Sequence, residues 1–270
     1  MGDLIRHEQT KALMLIDRLD RDELKYSIAF SNINLKEFLH SLKSIIDNPL
    51  LITQGAHPLC GIACLVKIAA ALDPITLVKM SAHFIVNGRY QPPSFLLKRV
   101  KVNKNILQME PSGGLTPADH VLQLSLKAFM NPISGYNNKP GTKFNDWQGI
   151  TFPYQIRKFL TRYFKIEEVP IRNFSFTPEY LSDVLRLGVK VLAWTSWNQM
   201  RNPGGKFKIL EQHYVLIKRI DIVGETVKIW VDNPKVKSAE LQEFSFNSRK
   251  EFKKAIIGVY AFNCRKNSSL

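Results

Sequence analysis

One stretch of this chain is most informative about both fold and chemistry: Gln54-Gly55-Ala56-His57-Pro58-Leu59-Cys60-Gly61-Ile62-Ala63-Cys64. Apolar residues recur at helical spacing after Cys60, which predicts a helix from about residue 60 to residue 72. A helix N-terminus presents N–H groups without intrahelical partners and the positive end of the helix dipole. Both features lower the pKa of a thiol, so Cys60 is a candidate nucleophile.

The glutamine that precedes this cysteine by six residues extends the same interpretation. When a thiolate attacks an amide carbonyl, an oxyanion forms that needs hydrogen-bond donors. The carboxamide of Gln54 and the backbone N–H of Cys60 are candidates for these donors. A nucleophilic hydrolase also needs a base, which must come from elsewhere in the chain.

A hairpin far downstream supplies the candidate base. Two strands rich in Val, Ile, Tyr and Trp are predicted over 213–220 and 226–232, with 221–225 as the turn. This register places Ile220 opposite Glu225, and it therefore places His213 beside Asp232 at the open end. Directly opposed residues have Cβ atoms about 4.5–5.5 Å apart, which allows a carboxylate to orient an imidazole.

These residues define a predicted catalytic set of Cys60, His213, Asp232 and Gln54. Cys60 would attack, His213 would accept and return the proton, and Asp232 would hold the imidazole tautomer. Asn233 is the nearest substitute for Asp232, because a carboxamide can also hold the ring. His57, Cys60 and Cys64 lack a second Cys or His pair at zinc spacing, so we expect no metal and no cofactor.

The order of the predicted elements indicates the fold class. Helices dominate the first part of the chain and antiparallel strands the second, which is typical of an α+β fold. The predicted helices cover 35–46, 60–72, 75–86, 116–129, 153–164 and 177–186, and the predicted strands cover 189–194, 213–220, 226–232 and 256–262.

The motif resembles the papain-like cysteine peptidases, and within them the bacteriocin-processing peptidases that cleave after double glycine. Their Gln-x5-Cys-Gly-x-Ala-Cys-Leu pattern is similar to 54–65 here, and their His-Tyr-Val segment and Asp-Pro are similar to 213–215 and 232–234. Leu59 replaces the acidic residue that the family usually has before its cysteine, and Asn233 separates Asp232 from Pro234. The resemblance implies a nucleophile helix packed on an antiparallel sheet.

A second, looser resemblance concerns papain-like toxin domains that bacterial secretion systems deliver. It is carried by residues 113–120 together with Asp146, Trp147 and Pro153. Residues 88–175 and the first fifty have no counterpart in a compact peptidase of the first family, so we expect a helical N-terminal extension over 1–50 and a papain-like hydrolase domain over 51–270, with an insertion at about 88–175. The resemblance implies a bacterial effector, with an acidic inhibitor or immunity protein as a partner.

Composition limits the setting in which such an enzyme would act. The chain has 270 residues, a formal net charge of +15 and three cysteines. Three cysteines are too few for a disulfide framework. No apolar run is long enough to span a membrane and no classical signal peptide is visible, so we expect a cytoplasmic protein or one exported by another route. The basic charge is spread along the chain without a nucleic-acid-binding module, which argues against nucleic acid as the partner.

The sequence therefore predicts a cysteine hydrolase that cleaves an amide bond in a protein or peptide substrate. The same residues are compatible with a deamidase, a transglutaminase or an acyltransferase, because water or an amine can capture the acyl-enzyme. A non-catalytic, basic binding protein is the remaining alternative.

Overall fold

A six-stranded antiparallel sheet forms the second half of the molecule. The computed structural model describes residues 2–22, 28–94, 96–130, 151–171, 176–203, 205, 211–236 and 240–265. In spatial order the strands are β3 (Ile166–Val169), β8 (Ile256–Cys264), β4 (Lys190–Ser196), β5 (Gln212–Val223), β6 (Thr226–Asp232) and β7 (Gln242–Phe246). Two short strands, β1 (Arg89–Tyr90) and β2 (Val100–Lys101), pair separately.

Helices cover both faces of this sheet. The described helices are α1 (Gly2–Asp22), α2 (Leu35–Asp47), α3 (Cys60–Leu72), α4 (Pro74–Asn87), α5 (Lys104–Leu107), α6 (Pro117–Met130), α7 (Pro153–Tyr163), α8 (Pro178–Arg186), α9 (Trp197–Arg201) and α10 (Arg249–Ala255), with a 3-10 turn at Pro49–Leu51. This architecture confirms the predicted α+β class.

The alternation of side chains along β5 divides the core in two. Tyr214 and Leu216 point into the cluster built around α3, whereas Val215 and Ile217 point into the cluster that contains residues of α8 and α10. Helix α3 therefore packs on one face of the sheet. Neighbouring side chains of one strand point to opposite faces of the sheet. This alternation determines which polar side chains can meet at the end of the sheet.

Helix α3 is apolar on nearly all sides because it is the central helix of its cluster. Every residue from Gly61 to Ala70 is buried, including Lys67, which is the only charged residue of the helix. The helix ends where the N–H of Asp73 donates to the carbonyl of Ala69, while the Asp73 carboxylate caps the N–H of Thr76 in α4.

The predicted extension and insertion share the core of α3. Ile16 of α1 and Phe38 of α2 belong to the same buried cluster as Ile62, and so do residues of α6 and α7. Part of the predicted insertion, residues 131–150 with Asp146 and Trp147, lies outside the described residues.

The predicted register of the β5–β6 hairpin is wrong. The strands continue to a tight turn at Gly224 and Glu225, so Val223 pairs with Thr226 and Leu216 pairs with Asp232. A bulge leaves Lys218 without an opposite residue on β6. Asp232 is therefore not opposite His213, and it shares a face with Leu216, on the side of α3.

Candidate functional site

Cys60 is the first residue of α3, and its surroundings favour the thiolate. Leu59 provides no side-chain cap, so the first N–H groups of the helix have no capping side chain. The His213 side chain and the backbone groups of Tyr214 and Gly61 lie close enough to the Cys60 sulfur to lower the pKa of its thiol. Burial alone raises the pKa of the thiol, but the charge and hydrogen bond of His213 and the two backbone donors outweigh it, so the pKa falls below its ordinary value. Cys60 remains partly exposed.

His213 lies near the start of β5, held between strands. The Thr195 hydroxyl donates to the His213 carbonyl at 2.9 Å, and His213 pairs with Thr195 across the β4–β5 ladder. The imidazole is buried, and its Nε2 lies 2.7 Å from Oδ1 of Asn233. One ring nitrogen is thus engaged by Asn233, which leaves Nδ1 for the Cys60 thiol.

Asn233 determines which tautomer His213 adopts. The backbone N–H of Lys235 donates to Asn233 Oδ1 at 3.0 Å, and Asn233 Nδ2 donates to Gln242 Oε1 at 2.8 Å. Because Oδ1 already accepts from a backbone N–H, it must also be the acceptor toward His213, and the ring proton is on Nε2. Nδ1 then carries a free lone pair, the form that can accept a proton from a thiol.

The structure corrects the position of Asp232, which does not contact His213. In the observed register its carboxylate points toward α3, where Oδ1 lies 2.7 Å from Lys67 Nζ and Oδ2 lies 3.6 Å from Lys218 Nζ. Asn233 directly follows β6, and its Oδ1 lies 2.7 Å from His213 Nε2. The side chain that holds the imidazole is therefore that of Asn233, the substitute considered from the sequence.

Gln54 is buried in the segment before α3, but it contacts neither Cys60 nor His213 through a hydrogen bond. Its Nε2 donates to the carbonyl of His57 at 2.7 Å, which uses one of its two amide hydrogens. Among the described residues, Gln54 Oε1 has no hydrogen-bond partner. The second amide hydrogen has no acceptor in the part of the chain that the structure describes.

The segment that carries Gln54 is joined to the turn that carries Asn233. The carbonyl of Pro234 accepts from the backbone N–H of Gln54 at 2.8 Å and from the Thr53 hydroxyl at 3.1 Å. Gln123 of α6 donates to the Thr53 carbonyl at 2.7 Å. These bonds hold the segment before α3 against the turn after β6, although the two regions are far apart in the sequence.

A glycine loop closes against the same segment from the other side. The carbonyl of Gly113 accepts a hydrogen bond from the N–H of Ala56 at 2.8 Å, and His57 Nε2 lies 3.0 Å from the carbonyl of Ser112. A Cβ atom on Gly113 would lie 2.7 Å from His57 Nε2, and the φ of Gly113 is +61°. Only glycine allows this approach without strain.

Trp197 is a site residue that the sequence pattern did not single out for contact with the histidine. Its ring lies edge-on to His213, with centroids 4.8 Å apart, and it also contacts Phe244. Thr195 of β4 pairs with His213, and Trp197 directly follows β4. A correct prediction of the β4–β5 register would therefore have placed Trp197 near His213. The indole covers one side of the imidazole from solvent.

No family model, curated protein or solved structure matches the chain. Within the described ranges, no group of His, Cys, Asp and Glu side chains could hold a metal ion, and no helix is both long and apolar enough to cross a membrane. What the arrangement offers chemically is a low-pKa thiol, an imidazole with a fixed tautomer and helix N-terminal donors.

Proposed function

We propose that this protein is a papain-like cysteine hydrolase that cleaves an amide bond in a peptide or protein. The observation that carries the proposal is the series Cys60–His213–Asn233, in which His213 lowers the pKa of the Cys60 thiol and Asn233 Oδ1 lies 2.7 Å from His213 Nε2. A Cys–His–Asn set is the arrangement that papain-like peptidases use. A nucleophile helix packed on an antiparallel sheet, with the histidine at a strand start, supports the same assignment.

The reaction follows from these groups. His213 Nδ1 accepts the thiol proton, and the Cys60 sulfur attacks the amide carbonyl carbon. The carbonyl electron pair moves to oxygen, where the N–H groups at the start of α3 and the remaining Gln54 amide hydrogen stabilise it. The C–N bond then breaks and His213 protonates the leaving amine, which leaves a thioester on Cys60. Water, deprotonated by His213, cleaves the thioester and restores the thiol.

Asn233 and Trp197 would support this cycle without touching the reacting atoms. Asn233 keeps the Nε2 proton in place, so that Nδ1 is always the basic nitrogen. Trp197 restricts water around the imidazole, which strengthens its electrostatic interaction with the thiolate. Capture of the thioester by an amine instead of water would make the enzyme a transglutaminase or acyltransferase, and a glutamine side chain as substrate would make it a deamidase.

The test is cleavage of a complex peptide mixture by the purified protein, with products identified by mass spectrometry. We expect new peptide termini with the wild-type chain and none with Cys60→Ala. Cys264→Ala is the matched control, because that thiol donates to the carbonyl of Leu72, at the other end of α3 from Cys60, and should be dispensable. Equal activity of Cys60→Ala would contradict the proposal, whereas ammonia release without new termini would indicate deamidation.

A basic cavity supports a second candidate, a protein that binds polyanions. It has a volume of about 500 Å³ and is lined by Thr177, Pro178 and four cations of α10, namely Arg249, Lys250, Lys253 and Lys254. Steeply salt-dependent DNA binding that is unchanged in Cys60→Ala would favour this candidate.

Growth arrest on expression, relieved by Cys60→Ala, would instead favour the effector role that the toxin resemblance implies.

A further inference from the structure

Helix α3 contains one buried cation that the proposed reaction does not use. Lys67 lies seven residues after Cys60, two turns along the same side of the helix. It is 1% exposed, and its Nζ donates to the carbonyls of Pro49 at 3.2 Å and Leu50 at 2.9 Å and to Asp232 Oδ1 at 2.7 Å. An ammonium has three donors, so every donor of Lys67 has a partner.

The anion of this pair directly precedes Asn233. Asp232 is the last residue of β6 and is 4% exposed. Its carboxylate is held by Lys67 on α3 and is approached by Lys218 from the bulge of β5. The carboxylate is therefore anchored to the nucleophile helix, while the next side chain along the backbone contacts His213.

A buried ion pair is weak evidence for added stability. Removing two charges from water is costly, and a well-packed apolar pair of similar volume is often as stable or more stable. Around Lys67 the helix is otherwise apolar, so a leucine or methionine would fit the sequence pattern there. Unlike an apolar pair, the charged pair makes a directional contact with one fixed geometry.

We propose that the Lys67–Asp232 pair is a positioning device that holds the Asn233 turn at a fixed place relative to Cys60. Lys67 also binds the Pro49–Leu51 turn, which leads into the segment that carries Gln54. One side chain thereby ties the nucleophile helix to both neighbouring parts of the site. The inference rests on the proposed function, since it assigns Lys67 and Asp232 the positioning of the residues that carry that reaction.

The test compares Lys67→Met, Asp232→Leu and the double variant with the wild-type chain. Each single variant leaves one buried charge without its partner and should unfold at a lower urea concentration. The double variant should recover the part of that loss that comes from the unpaired charge, but the Leu50 carbonyl still loses its Lys67 donor. Its Cys60 should nevertheless react with iodoacetamide at neutral pH about ten- to a hundredfold more slowly, because about 1 Å of misplacement can cost about a hundredfold in rate. The pH midpoint of the reaction should also rise toward that of an ordinary thiol.

Two lysine-to-methionine controls match the change. Lys218→Met removes the other cation near Asp232 but no contact with α3, and Lys43→Met removes an exposed ion pair with Asp17. Both should keep the wild-type rate and pH midpoint. Wild-type reactivity in a folded double variant would overturn the proposal, and so would a loss in Lys218→Met equal to that in Lys67→Met.

These readouts separate the inference from the proposed function. Alkylation of Cys60 needs no substrate, so it reports positioning even if the wild-type chain hydrolyses no amide. If the wild-type chain cleaves peptides and the double variant cleaves them equally fast, the inference fails and the hydrolase remains. If neither variant nor wild type cleaves peptides but alkylation slows as described, the positioning role stands and the amide hydrolase does not.

Discussion

Replacing Asn233 with alanine tests whether Asn233 holds the His213 ring in the tautomer that leaves Nδ1 free to accept a proton. The change removes the acceptor that lies 2.7 Å from His213 Nε2, in a buried site where no water can replace it easily. When Cys60 loses its proton the ring becomes an imidazolium, and a hydrogen bond to a charged group contributes about 1.5–3 kcal/mol. At about 1.4 kcal/mol per factor of ten, Asn233→Ala should slow the reaction of Cys60 by about ten- to a hundredfold.

The assay is the second-order rate of Cys60 alkylation at pH 7, measured together with the rate of peptide cleavage. Asn233→Asp retains an acceptor for both His213 Nε2 and the Lys235 N–H, so it should stay much closer to wild type. Gln242→Ala is the matched control: it removes only the partner of Asn233 Nδ2 and leaves the Lys235 bond that fixes the amide. If Asn233→Ala reacts as fast as Gln242→Ala, the orienting role is refuted.

Two further predictions concern stability. Burial lowers the pKa of His120 to about 4 from an ordinary value of 6.5, so its stabilising contribution is complete above pH 6.5 and is lost as the pH falls toward 4. The unfolding free energy should drop by about 2 kcal/mol between pH 7 and pH 5 for this reason. His120→Phe, which keeps a ring beside Phe30, should abolish that part of the drop, and an unchanged pH dependence would contradict the burial argument. Gly113→Ala should lower the urea midpoint more than Gly114→Ala does, because both residues have positive φ but only Gly113 also clashes with His57. Equal losses would show that the clash is relieved at no cost.

The helix that carries the nucleophile was predictable because its signals are local. The predicted helix over 60–72 coincides with Cys60–Leu72, and the Asp73-Pro74 break is a capping and turn signal that does not depend on the rest of the fold. Such signals act within one or two turns of a helix, so distant contacts do not change them.

The hairpin was predictable as two strands but not in its register. Both strands were recognised from their Val, Ile and Tyr content, yet β5 runs on to Val223, which is 76% exposed, and turns at Gly224 with φ +59°. A bulge at Lys218 then shifts the pairing back by one residue, which does not restore the predicted register. Turn length and bulges depend on backbone geometry rather than on hydrophobic pattern, so the sequence led to Asp232 where the fold uses Asn233.

Partners across long separations were the least predictable part of the site. Nothing near Lys67 indicates that its ammonium meets a carboxylate 165 residues later, because an isolated lysine in a helix is normally solvated. The edge strand β7, Gln242–Phe246, was also overlooked, although its alternation of polar residues with Phe244 and Phe246 is the period of a half-buried strand.

In the proposed reaction, His213 converts Cys60 into a thiolate near neutral pH. The rate of Cys60 alkylation across pH 5 to 10 tests it most directly, with His213→Ala measured beside the wild-type chain. The rate for the wild-type thiol should be half-maximal below about pH 8.5, the pKa of a free cysteine, whereas the midpoint of His213→Ala should lie at higher pH than that of the wild type. Superimposable pH profiles for the two proteins, or reaction at Cys264 rather than Cys60, would contradict the account.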